Sequence, residues 1–121
     1  MRGGDMEPIV HVYQVHAEPG SIRGWVYHRW QDDRLAYTEG RFRLALYDLR
    51  DDSPSFGKLD VRDLGEDNPM TVRIPAFVAH ALKNVGSDRA CFVNMPTRAY
   101  DPAKPDKARL AYPDPRIPFE F

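Results

Sequence analysis

The stretch RLAYTEGRFRLALYDLR, residues 34–50, decides the reading of the fold. Leu, Tyr, Phe and Ala fill it on both sides of Glu39-Gly40, and no proline interrupts it. That composition suits extended chain, and the Gly marks a turn, so the stretch reads as two strands joined as a hairpin at "EG". Working outward, similar short runs recur: IVHVYQVHA (9–17), SIRGWVYHRW (21–30), KLDVRDL (58–64), MTVRIP (70–75) and RACFVNMP (89–96). Gly, Pro, Asn, Asp or Ser bound most of them, and GEDNP (65–69) is a strong turn signal. Seven short strands at this spacing predict an all-β sandwich or barrel.

Two segments read differently. AFVAHALKN (76–84) has apolar residues at helical spacing but is short and follows Pro75, so a turn or 3₁₀ piece leading into the next strand is expected. The tail from Tyr100 to Phe121 carries five prolines in 22 residues. Proline removes backbone donors, so residues 100–121 should wrap a surface rather than join the central sheet, with one helical turn at DKARLA. Residues 1–121 form one domain, and residues 1–8 are expected to be disordered.

Composition narrows the function classes. Of 121 residues, 42% are hydrophobic and 29% charged, which suits a globular domain. A net charge of −1 gives no footprint for nucleic acid or an anionic membrane surface. No run approaches the length of a membrane span, and the polar MRGGDMEP start lacks an apolar signal core. A cytoplasmic protein is expected. The single cysteine, Cys91, lies in an apolar run and reads as a buried, inert thiol.

Chemistry concentrates around IRGWVYHRWQDD (22–33). Residues two apart on a strand share a face, so Val26, His28 and Trp30 should point the same way. From Gly20 the spacing runs through Val26, His28 and Asp33 to Gly40; later, Pro75, His80 and Asn84 follow at intervals of five and four. This spacing resembles the two cupin motifs, with Val26 at the first histidine, Asp33 for glutamate and Phe77 for a glycine. On that reading His28, Asp33 and His80 would form a two-histidine, one-carboxylate set suited to a divalent metal such as Fe or Zn. His28 and His80 are also candidates for proton carriers or for hydrogen-bonded structural histidines, and Arg23 for holding an anion or forming a structural salt bridge. His16 reads as surface. Trp25, Tyr27 and Trp30 read as core or dimer interface.

A resemblance covers nearly the whole chain. PGSIRGWVYH, GRFRLALYDLRDDSPSFG, LGEDNP, IPAFVAHAL and the YPDPRIPFEF ending resemble the dTDP-4-dehydrorhamnose 3,5-epimerase family, of which this would be a divergent, short member. The block from Asp48 to Gly57 and the ending from Asp114 to Ile117 are the most distinctive. The resemblance implies a cupin-type, jelly-roll-like β-barrel, usually a homodimer, with a cofactor-free site in its mouth that takes a nucleotide deoxysugar or a similar carbonyl compound. It also implies proton removal beside a keto group and reprotonation from the other face. The family's histidine base falls at Val26, its tyrosine acid at Asn94 and a site lysine at Asp33, so Asp33 and Asn94 are candidate substrate contacts, as are His11 and Tyr13, which lie where the family places such contacts. His80 is kept, and Asp114 corresponds to an aspartate that supports the base. Valine cannot accept a proton and asparagine cannot give one, so 3,5-epimerisation by that pair is expected to be absent or weak. The alternatives are the metal cupin and a binding protein without catalysis.

Overall fold

A computed structural model describes residues 8–121. The expected disorder of residues 1–8 therefore falls, Pro8 apart, outside the described residues. Nine strands form among them: β1 Tyr13–Ala17, β2 Ile22–His28, β3 Asp33–Glu39, β4 Arg41–Asp48, β5 Leu59–Gly65, β6 Thr71–Ile74, β7 Val78–Asn84, β8 Ala90–Asn94 and β9 Lys107–Arg109. They make two antiparallel sheets, β1-β8-β3-β6 and β5-β4-β7-β2-β9, packed face to face as a jelly roll. The all-β expectation stands.

The hairpin at Glu39-Gly40 does not form. β3 pairs with β6 and β8, whereas β4 pairs with β5 and β7, so at Gly40 the chain leaves one sheet for the other. Gly40 has φ +83°, and a Cβ there would lie 2.5 Å from the Ala90 methyl. Glycine thus permits a close crossing between layers, a demand that resembles a tight turn in sequence.

The main core lies between the sheets. Phe42 and Leu44 of β4 point inward with Leu35, Tyr37, Ile74, Leu82 and Phe92, and the rings of Phe42 and Phe92 meet edge to face at 5.5 Å. The opposite face of the second sheet carries a smaller core of Trp25, Ala45, Ala79, Ala81 and Ile117, with Phe119 and Phe121 packed against it.

This second core explains the misreading of residues 76–84. They hold no helical turn beyond the sharp bend at Pro75–Phe77; Val78–Asn84 is β7, a central strand between β4 and β2. Val78, His80 and Leu82 face one side and Ala79 and Ala81 the other, and all five are buried. A strand buried on both faces loses its polar alternation and imitates a short buried helix. The tail is corrected for a related reason. Most of it wraps the surface irregularly as expected, but Lys107–Arg109 adds an edge strand to β2 where a helical turn was expected. Only three residues between prolines are needed to pair there.

The Asp48–Gly57 block is a structural turn. The buried Asp48 carboxylate accepts from the Arg50 backbone N–H (2.9 Å), from the Arg50 guanidinium (2.9 and 3.0 Å) and from the Ser55 hydroxyl. The Arg50 and Ser55 contacts outweigh burial and hold Asp48 well below the ordinary carboxylate range.

Candidate active site

β2 is irregular where it matters. Its register against β7 shifts between Arg23 and Val26, and Gly24 within the shift has φ +121°. A Cβ at Gly24 would lie 2.7 Å from Ala81 and from the His80 carbonyl oxygen. This bulge re-aims the strand. Trp25 turns out to the second core, fully buried, while Arg23, Val26 and His28 all line one cavity of about 290 Å³ between the sheets. Trp30 lies past the end of β2, exposed at the rim of a larger adjoining cleft of about 650 Å³.

The cavity has two unlike walls. One is built from β2, β7 and β9 and carries Arg23, His28, His80, Lys107 and Arg109. The other is built from β1, β3 and β8 and carries Tyr13, Asp33 and Asn94 among apolar residues. Asp33, at the first position of β3, bridges them. Its Oδ2 lies 3.1 Å from His28 Nε2 and 3.4 Å from His80 Nε2, and its Oδ1 accepts from Gln31 Nε2 at 2.8 Å. The His28 and His80 rings stack with centroids 6.1 Å apart. Burial alone raises the Asp33 carboxyl, but hydrogen bonds and charge from His28 and His80 overcome this and hold it far below its usual range. Asp33 is therefore a fixed anion, not a titrating acid at neutral pH.

Each imidazole is also held from behind. His80 Nδ1 lies 3.2 Å from the Val78 carbonyl oxygen. His28 Nδ1 lies 3.3 Å from Asp106 Oδ2, an oblique approach that sets a charge beside this buried nitrogen without a directed hydrogen bond. Asp106 is itself fixed by the backbone N–H groups of Arg29, Trp30 and Gln31.

On the facing wall, Asn94 is paired across the strands with Tyr13. Its Oδ1 accepts from the Arg34 N–H at 3.2 Å, which orients the amide so that Nδ2 donates to the Tyr13 hydroxyl at 2.8 Å.

The structure thus brings together Tyr13, Arg23, His28, Asp33, His80 and Asn94, and Val26 lines the same space. His11 stands outside it in the larger cleft, its ring 5.7 Å from that of Tyr13. His16 is exposed and Cys91 buried, as expected. Asp114 is not in the cavity. Its carboxylate accepts from the Arg116 backbone N–H and guanidinium, within the tail's turn, and the carboxylate beside the two histidines is Asp33. Three contributors were missed: Asp106, Lys107 and Arg109. They lie in the proline-rich tail, some 75 or more residues from the strands they serve, and no local spacing announces them. Burial, with Arg109 and Arg23 nearby, lowers the Lys107 ammonium below its ordinary value.

A family model described as dTDP-4-dehydrorhamnose 3,5-epimerase matches residues 2–121. The chain belongs to this family. It is 39% identical over 103 residues to the spore coat polysaccharide biosynthesis protein SpsL of Bacillus subtilis, covering 85% of this chain and 68% of that one. It is 36% identical over 109 residues to the probable low-salt glycan biosynthesis epimerase Agl13 of Haloferax volcanii, covering 89% and 69%. Among solved structures, a dTDP sugar isomerase from Desulfovibrio desulfuricans superposes with a TM-score of 0.89 at 25% identity, over 98% of this chain and 74% of that one. Val26, His80 and Asn94 all line the cavity.

Proposed function

We propose that the chain is a sugar epimerase-type isomerase that moves a proton at a carbon next to a carbonyl in a nucleotide-linked deoxysugar. The observation that carries this is His80. Its Nδ1 faces a carbonyl oxygen, which can only accept, so Nδ1 holds a hydrogen, and Nε2, beside Asp33 Oδ2, is the nitrogen that takes and releases a proton at the cavity. Asp33, 3.4 Å away, stabilises the imidazolium formed when that nitrogen takes a proton. His28, on the other side of Asp33, holds the carboxylate in place. Arg23, Lys107 and Arg109 offer cations to a diphosphate. The larger cleft, which shares Arg23 and Lys107 and presents His11, Trp30 and Tyr100, has room and aromatic faces for a base. A cytoplasmic homodimer completes the reading: β1 is an edge strand, and Ile9, Val10 and Val12 beside it are exposed. The test supplies a dTDP-4-keto-6-deoxyhexose in deuterated water. Deuterium at the carbons flanking the ketone is expected; binding without exchange would make the chain a binding protein, and no exchange would remove the isomerase reading.

A second reading rests on the same cluster. The ligand atoms of His28, Asp33 and His80 lie within 4.8 Å of one another. Their 3.1 and 3.4 Å separations match the edges, about 3.0–3.4 Å, of a coordination shell with bonds near 2.1 Å. Gln31, Val78 and Asp106 back the ligands, as outer-shell partners do. A bound Fe or Zn would act there as a Lewis acid on a substrate oxygen. Metal analysis of untagged protein decides: about one ion per chain, lost in His80→Ala, supports this reading, and metal near zero after incubation with Fe(II) or Zn(II) removes it.

A further inference from the structure

Inversion at a carbon requires a proton to leave one face and another to arrive at the opposite face. The isomerase reading places the accepting nitrogen on the β2–β7 wall. Something on the facing wall must then give a proton. Among the described residues, that wall presents Tyr13, Val15, Asp33, Leu35, Phe92 and Asn94. Both Asp33 oxygens are engaged, by the two imidazoles and the Gln31 amide, and Asn94 is an amide. The one acidic hydroxyl is Tyr13.

We propose that Tyr13 is the proton donor of this site, acting from strand β1 through a hydroxyl that Asn94 holds in place. The inference rests on the isomerase reading above. The hydrogen-bond direction supports it. Asn94 donates to the phenol oxygen, so the phenol's own hydrogen is not used in that bond. It remains available to the cavity. Tyr13 is 42% exposed, and the partial burial of its phenol raises it, with the Asn94 bond acting the other way, so the hydroxyl carries its proton at neutral pH. The amide cannot turn over without losing its bond from the Arg34 N–H. The same amide N–H that positions the phenol also stabilises the phenolate left behind. Tyr13 and Asn94 are direct cross-strand partners. A tyrosine on β1 can therefore present its hydroxyl at the place where the β8 position holds an amide.

The step balances. His80 Nε2 takes the proton from the carbon beside the carbonyl, and the C–H electron pair moves to the carbonyl oxygen as an enolate. The enolate collapses, and its carbon takes the Tyr13 proton on the opposite face. The phenolate then regains a proton from water, and the imidazolium releases one.

The experiment compares wild type, Tyr13→Phe and Asn94→Asp on a dTDP-4-keto-6-deoxyhexose in deuterated water, reading exchange and inversion separately. Circular dichroism confirms that each variant is folded. Tyr13→Phe should keep exchange, because the base can return a deuteron to the same face, and should lose inversion by about 100-fold or more. Asn94→Asp, nearly isosteric but without the N–H donor, should lose inversion in the same sense. Inversion at the wild-type rate in Tyr13→Phe overturns the proposal. So does a parallel fall of exchange and inversion, which would make Tyr13 a binding residue. Wild type that neither exchanges nor inverts would remove the underlying isomerase reading, a separate failure.

Discussion

Asp33→Asn offers a direct measure of what holds the two sheets together at the site. The carboxylate is 3% exposed and touches two imidazoles, at 3.1 and 3.4 Å, and the Gln31 amide at 2.8 Å. Asparagine fills the same space and can still accept from Gln31, but it removes the charge. Taking one partner from a buried ionic cluster costs about 3–5 kcal/mol. For a domain of this size that is a Tm lower by roughly 10–20 °C. The pH dependence identifies the source. The folded-state pKa of Asp33 is depressed, so its contribution is complete above the unfolded value near 3.9 and falls as pH drops below it. The comparison runs from pH 5 to pH 3. Over this interval the gap between wild type and variant should narrow by about 1 kcal/mol, the 0.9 unit below 3.9 at about 1.36 kcal/mol per unit. Urea unfolding of both proteins at the two pH values is the assay. A loss under about 1 kcal/mol at pH 5, or a gap that does not narrow at pH 3, would refute the reasoning.

Other outcomes follow from named contacts. Gly24→Ala places a methyl 2.7 Å from backbone atoms of β7 at φ +121°; a loss of about 3 kcal/mol or more, or insoluble protein, should appear in thermal unfolding. Asp48→Asn weakens the anchor for Arg50 and Ser55 and should lower stability by about 2 kcal/mol while leaving isotope exchange unchanged, since Asp48 does not line the cavity. Arg23→Ala should raise the Kd for dTDP about 10- to 100-fold by calorimetry, with the effect shrinking as salt rises. Light scattering should give twice the chain mass, and Val12→Glu beside β1 should shift it toward the monomer.

The architecture was largely legible because seven runs carried β-forming residues between turn formers. What failed were places where a residue answered to the other layer. Gly40 reads as a hairpin glycine but is a crossing point, because its constraint is Ala90, fifty residues on. β7 reads as a helical piece because Ala79 and Ala81 are covered by a second core that residues 110–121 complete. At the site, spacing brought forward His28, Asp33 and His80, and all three meet. Arg23 reads as an anion holder from its residue type, but its face depends on the bulge, since simple alternation would have opposed Arg23 to Val26. Asp106, Lys107 and Arg109 were invisible because their placement depends on the docking of the tail, which sets no period. Tyr13 was read as a contact residue. Its bond to Asn94 depends on the pairing of β1 with β8, which only the topology reveals.

The small outer core has a practical meaning for anyone handling the protein. Phe119 meets Trp25 edge on at 6.4 Å, Phe121 meets Phe119 at 4.9 Å, and the Phe121 N–H donates to the Tyr112 hydroxyl. Trp25 is the outward residue of the bulge whose inward neighbours are Arg23 and Val26. Residues 117–121 therefore brace, from the back of the sheet, the guanidinium that faces the cavity. Phe119→Ala would loosen that brace and show up as weaker anion binding, with indole fluorescence shifting to the red.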